Sequence, residues 1–190
     1  MIGFITYLES VRRNRSSRMK GFFLKLYLLS HGCKVGKGLK CATWPYFKGF
    51  PDRNIEIGDH VDLGKSNTIE LNKEGKLFFG DYVLLHQNIL ISCNKEIVFG
   101  KWCAVAENAS IRDGNHQFAA DKYYRLQDTV SEKIIVGEGS GIAAGTVVLP
   151  GSVIAKGAFI GANSLVTRHD KIEENGIYGG NPLKLIKFRK

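Results

Sequence analysis

From Val136 onward the chain sets a β-branched aliphatic residue at every sixth position: Val136, Ile142, Val148, Ile154, Ile160 and Val166. The residues directly after these anchors are Gly137, Ala143, Leu149, Ala155, Gly161 and Thr167, mostly small. The third residue after each anchor is Gly139, Gly145, Gly151, Gly157, Asn163 or His169. Gly or Asn is what a left-handed backbone conformation at a tight corner calls for. The fourth is Ser140, Thr146, Ser152, Ala158, Ser164 or Asp170, again mostly small. A six-residue unit with one inward anchor cannot bury its face alone, so such units must coil and stack into a solenoid.

The same register recurs upstream with interruptions. Val35-Gly36-Lys37, Ile57-Gly58-Asp59, Phe79-Gly80-Asp81 and Phe99-Gly100-Lys101 each start a set of three hexads. The step from Val136 to Ile154 is 18 residues, one full three-sided turn, and longer steps carry loops. The one large excess follows the hexad "IRDGNH", which ends in His116, and runs through "QFAADKYYRLQDTVSEK" before Val136. The chain therefore divides into a helical segment at 1–34, a solenoid at 35–172 with a loop excursion at 117–135, and a basic tail at 173–190.

At 190 residues with 44% hydrophobic composition, the chain has enough apolar surface for one main domain. Its formal charge of +9 is concentrated in residues 1–40, where nine Lys/Arg face Glu9 alone. Any anionic partner is therefore to be sought at the front. "GFITYLESVRRNRSS" and "MKGFFLKLYLLSHG" combine apolar runs with basic residues and read as a basic amphipathic helical segment. Every solenoid needs a cap over its open end. The same helix also suits the interface of an anionic membrane. "GFFLKLYLLS" is about half the ~20 residues that a membrane span needs and contains Lys25. None of the nucleic-acid recognition motifs is present, so no nucleic-acid partner is expected. Cys33, Cys41, Cys93 and Cys103 form no CxxC pair, and no secretory cleavage site follows the apolar start. The expectation is reduced thiols and a cytoplasmic protein, peripheral at the inner membrane surface if the front helix binds lipid.

The hexads, the place of His116 before the long loop, and the closing "GANSLVTR…GGNPLKLIK" resemble the hexapeptide-repeat acyltransferases. The likeness runs over about residues 35–190 and is greatest to the maltose- and galactoside-type and the bacterial polysaccharide O-acetyltransferases. It implies a mainly β fold: a left-handed parallel β-helix with an N-terminal helical segment and a short C-terminal tail, working as a homotrimer. It also implies O-acetyl transfer from acetyl-CoA to a sugar hydroxyl in surface polysaccharide (capsule or O-antigen) synthesis, with no metal.

On that resemblance His116 is the general base. Histidine suits the role, since its unperturbed pKa of about 6.5 lets it take and return a hydroxyl proton near neutral pH. Asp113, three residues earlier, is expected to orient or polarise the imidazole. Tyr123, Tyr124 and Arg125 in the excursion are groups that stack on sugar rings or pair with acidic substituents. His86 aligns with an acceptor-binding position of the family that is an asparagine there. The resemblance places the pantetheine arm of the coenzyme at Ala144 and Ala162, and its nucleotide end at Thr167, Arg168 and Lys187, with Lys184 adjacent. The glycines of "VGEGSGIAAG" fall at hexad corners and no helix pattern follows, which excludes a dinucleotide fold.

Two other activities use the same scaffold. One is N-acetylation of an amino-sugar nucleotide. The other is a carbonic-anhydrase-like metal site of three histidines, for which His86 and His116 lack a third partner: His31, His60 and His169 are poorly placed by register, and Asp121 would be a departure.

Overall fold

The computed structural model describes residues 2–190, with side chains described from residue 11 onward. Met1 and the side chains of residues 2–10, the start of the expected lipid-facing segment, lie outside the described residues. The hexads become short strands that wind into three parallel sheets, a left-handed β-helix. Sheet A takes Lys34–Val35, Ile55–Ile57, Lys76–Phe79, Glu96–Phe99, Ile134–Val136 and Val153–Ile154. Sheet B takes Lys40–Cys41, Asp62–Leu63, Leu84–Leu85, Ala104–Val105, Gly141–Ile142, Phe159–Ile160 and the last two strands of the chain. Sheet C takes Tyr46–Lys48, Thr68–Leu71, Leu90–Cys93, Ser110–Arg112, Val147–Val148 and Leu165–Val166.

The anchors pair one turn apart. Val136 lies over Ile154, Ile142 over Ile160 and Val148 over Val166, all six buried. Stacked anchors from the three sheets fill the core, with Phe79 and Phe99 stacked inside it at 5.1 Å between centroids. The small residues at the fourth position have a reason too. Ser140, Ser152 and Ser164 donate their hydroxyls to the carbonyls of Gly137, Leu149 and Gly161 at 2.6, 2.7 and 2.6 Å, so each buried hydroxyl finds a corner carbonyl within its own turn.

The corner rule holds at Gly139, Gly145, Gly151, Gly157 and Asn163, all with positive φ. It stops at His169, where Thr167 N and Oγ1 donate to Asp170 Oδ2 at 2.7 and 2.8 Å and close a different turn. Upstream the rule holds at Gly38, Asn88 and Asn108, while the left-handed corners at His60, Ser66, Tyr82 and Trp102 depart from it. On the edge between sheets A and B, the rings of His60, Tyr82 and Trp102 stack at 5.1 and 4.1 Å. Ring stacking offsets part of the backbone strain that such residues carry at positive φ.

One helix, α1 (Ile2–Ser30), closes the first turn. Leu24 and Leu28 are fully buried against the solenoid, and a Cβ at Gly21 would lie 2.1 Å from the Leu39 carbonyl oxygen. Lys20 and Lys25 donate to the carbonyls of Ala42 and Gly36, each at 2.9 Å, so the helix bonds carbonyls of the first turn. At the other end, residues expected as a tail form a hairpin: Gly176–Gly179 extends sheet B and Lys184–Phe188 folds back antiparallel to it. The helix thereby covers the first turn, and the hairpin extends sheet B by two strands at the other end.

Candidate active site

His116 ends the strand Gly114–His116, which leaves the solenoid after sheet C and pairs antiparallel with Thr129–Ser131. The excursion is a hairpin whose tip holds a 3-10 turn, Tyr124–Leu126. The buried Gln127 side chain pins that tip: its Oε1 accepts from Ala119 N at 2.7 Å, and its Nε2 donates to the carbonyls of Ala119 and Lys122 at 3.0 and 3.1 Å. The Gln127 main-chain oxygen lies 2.8 Å from His116 Nδ1. A carbonyl can only accept, so Nδ1 carries the proton, and in the neutral ring Nε2 has a free lone pair. Tyr124 meets the imidazole edge to face at 5.1 Å, and Phe118 stacks on Tyr124 at 5.8 Å.

Asp113 does not orient this histidine. Its carboxylate is fully buried and accepts the main-chain N–H of Asn94 at 2.6 Å, of Lys95 at 2.8 Å and of Glu96 at 2.7 Å. That bonding fixes the turn between sheets C and A under the hairpin. The orienting acceptor is the Gln127 carbonyl, which no side-chain pattern in the sequence reveals.

Tyr123, Tyr124 and Arg125 lie together at the hairpin tip with Leu126, lining an exposed hollow, and Tyr123 is 83% exposed. His86 follows its sheet-B strand and so sits on the edge between sheets B and C, away from His116 on the edge between C and A. It lines a shallow cleft with Asp62, Lys65 and Glu107, and its Nδ1 is 4.0 Å from Glu107 Oε2. Glu107 was not expected from the sequence; it stands one turn beyond Gln87, which follows His86, and only the register reveals it.

Ala144 and Ala162 occupy the next two turns of that same B/C edge, where Gly145 N bonds the Glu107 carbonyl and Asn163 N bonds the Ala144 carbonyl. Thr167 and Arg168 are on the C/A edge, where the Arg168 guanidinium bonds the Glu132 carboxylate at the hairpin base. Lys187 is on the terminal strand opposite Ile177. Within one chain the expected coenzyme contacts are therefore split between two edges with sheet C between them. Among the described residues, no group of three or more His, Cys, Asp and Glu is gathered as metal ligands.

No family model matches the sequence. Among curated proteins, one of Escherichia coli K12 named for lipopolysaccharide O-acetyl transfer is 26% identical over 144 residues, covering 72% of each chain. A second from the same strain, named for acetyl transfer in colanic acid biosynthesis, is 26% identical over 134 residues, covering 70% of this chain and 69% of its own. An acetyltransferase-named protein of Mycobacterium tuberculosis is 28% identical over 158 residues; the chain spans about half of its length, 50%. Among solved structures, the N-acyltransferase AntD of Bacillus cereus with dTDP and 3-hydroxybutyryl-CoA superposes with a TM-score of 0.72 at 21% identity, over 87% of this chain and 88% of that one. The fold of this chain is that of a solved acyltransferase and the curated relatives named here are acetyltransferases, which bears out the resemblance to the hexapeptide-repeat acyltransferases.

Proposed function

We propose that the chain is an acetyl-CoA-dependent O-acetyltransferase acting on a sugar hydroxyl in bacterial surface polysaccharide synthesis. The observation that carries this is the bond between His116 Nδ1 and the Gln127 carbonyl, which leaves Nε2 as a free base on the rim of the hairpin. The acceptor hydroxyl passes its proton to Nε2 as its oxygen bonds the acetyl carbon; the carbon–sulfur bond breaks, and the proton returns to the departing thiolate. Tyr123, Tyr124 and Arg125 are assigned to the acceptor, as is His86.

The division of Ala144, Ala162 and His86 from Thr167, Arg168 and His116 supports a trimer. If the B/C edge of one copy meets the C/A edge of the next, both halves come together; a head-to-tail contact of this kind forms a ring when its rotation closes, and the family resemblance gives that ring three copies. Lys187 is assigned to the nucleotide end of the coenzyme. The outer face of α1 is assigned to an anionic membrane surface.

N-acylation of an amino-sugar nucleotide is the second reading, supported by the solved N-acyltransferase complex with dTDP-4-amino-4,6-dideoxyglucose and coenzyme A, which shares the fold at a TM-score of 0.73. The test is to incubate the protein with acetyl-CoA and a panel of sugars, sugar nucleotides and lipid-linked oligosaccharides and follow acetyl mass gain and thiol release. A product acetyl group lost in mild alkali is an ester and supports O-transfer. An alkali-stable product is an amide and supports the second reading. No thiol release and no acetyl mass gain with any acceptor of the panel overturns both.

A further inference from the structure

Helix α1 is apolar on two opposite faces. Gly21, Leu24 and Leu28 face the solenoid and are buried. Met19, Phe22, Phe23 and Leu26, spaced at three- and four-residue steps, form a second stripe on the far side, 59, 57, 54 and 47% exposed. The cap function accounts for the first face and leaves the second without a partner.

Three features beside the stripe bear on what covers it. Residues 11–30 contain Arg12, Arg13, Arg15, Arg18, Lys20 and Lys25 and no acidic residue. A cleft of about 530 Å³ opens between α1 and the first turns, lined by Arg18, Phe22, Lys25, Lys37, Lys40 and His60 among others, with no carboxylate in its lining. Lys25 already donates to the Gly36 carbonyl and Lys37 lies 3.6 Å from Asp59, which leaves Arg18 and Lys40 as the cations best placed to serve a ligand there. Phe22 belongs to both the cleft and the stripe, so an apolar surface runs directly into a cationic hollow. No helix is long and apolar enough to cross a membrane among the described residues.

We infer that this face docks on the surface of an anionic bilayer, the stripe entering the boundary between headgroups and acyl chains while Arg18 and Lys40 hold a lipid phosphate in the cleft. A neutral apolar partner would give the cations no function. A second copy of the same face would bring arginine clusters against each other. An anionic lipid surface matches both the stripe and the charge. The inference rests on assigning α1 to the membrane, and adds which residues insert, which bind phosphate, and how the solenoid is presented: end-on, with the capped first turn against the lipid.

The test is co-sedimentation of the full chain with vesicles of phosphatidylcholine alone, and of phosphatidylcholine with one part in four phosphatidylglycerol. The expected result is binding at least about tenfold stronger to the anionic vesicles, since each Lys or Arg near such a surface contributes about fivefold. Phe23→Glu with Leu26→Glu, and separately Arg18→Glu with Lys40→Glu, should each weaken that binding about tenfold or more. Equal binding to both vesicles, no binding by the parent, or parental binding by the Phe23/Leu26 variant overturns the inference. Parental vesicle binding by the Arg18/Lys40 variant, together with loss of its binding to glycerol phosphate by calorimetry, would show a site for a free phosphate and overturn the lipid assignment. A change in oligomer size in the Phe23/Leu26 variant by light scattering would show a copy-to-copy contact and overturn it as well. Acetyl transfer to a soluble acceptor, measured without vesicles, keeps this outcome separate from that of the proposed activity.

Discussion

His86 and Glu107 face each other across neighbouring turns of the B/C edge, with Nδ1 4.0 Å from Oε2. The gap exceeds a hydrogen bond, so neither group is spent on the other and both remain able to bond a ligand in the cleft they line. If this cleft receives the acceptor, His86→Ala and Glu107→Gln should raise the acceptor KM several-fold, with kcat and the acetyl-CoA KM changed far less. Steady-state kinetics on the best acceptor from the panel decides it. A kcat loss as large as that of a base variant would move His86 from binding to chemistry.

His116→Ala should lower kcat by about 10²–10⁴ while acetyl-CoA binding, measured by calorimetry, stays near parental. Gln127→Ala tests the support separately. It removes three bonds to Ala119 and Lys122 without removing the carbonyl that holds Nδ1, so the hairpin tip loosens and the imidazole loses its fixed orientation. A kcat loss smaller than that of His116→Ala, with a melting temperature near parental, is the expected result. Unchanged kcat in Gln127→Ala would show that the tip does not govern the histidine.

The parts legible in the sequence were those with a period. Val136, Ile142, Val148, Ile154, Ile160 and Val166 show their burial because the fold repeats the same demand at every hexad. The place of His116 at the mouth of the hairpin was legible because the period breaks there. Asp113 was misassigned because closeness in sequence says nothing about which way a carboxylate points at a sharp corner; it turns inward to three main-chain N–H groups. The Gln127 carbonyl was invisible because a main-chain acceptor leaves no mark on residue type. Tyr82 and Trp102 broke the glycine rule since each finds a stacking partner one turn away, an override of local preference that only the assembled edge supplies. The outer stripe of α1 was hidden because two opposite apolar faces cancel in any search for a single one.

Gly145→Val and Gly151→Val should each destabilise the solenoid. Both glycines have positive φ, +69 and +79, where a β-branched residue is strained by roughly 1–3 kcal/mol from the backbone alone. A Cβ would also lie 2.3 Å from Asn163 Oδ1 at Gly145, and 2.4 Å from Glu132 Oε2 at Gly151. Thermal melting checks this. The Gly151 variant should also lose activity beyond its loss of stability, because Glu132 anchors the base of the hairpin that carries His116. Melting at the parental temperature in both would mean that the corners tolerate side chains.

The buried thiols make stability fall in alkali. Burial pushes Cys41 and Cys93 from the ordinary 9.0 up to about 12, and for Cys93 the nearby Asp113 carboxylate adds to the effect. Between those values the unfolded chain has lost thiol protons that the folded chain keeps, so unfolding becomes more favourable as pH rises. The thiols' contribution is fully present below 9.0 and is lost as pH climbs towards about 12. Melting temperature measured from pH 8 upward should therefore decline, and the decline should be shallower in Cys41→Ala and in Cys93→Ala than in the parent. All four cysteines are buried and free, so a thiol-specific disulfide reagent at pH 8 should react slowly with the native protein and fully after denaturation. Rapid reaction of Cys41 or Cys93 in the native protein would show that the first or third turn opens readily, and the alkaline loss of stability would then have another source.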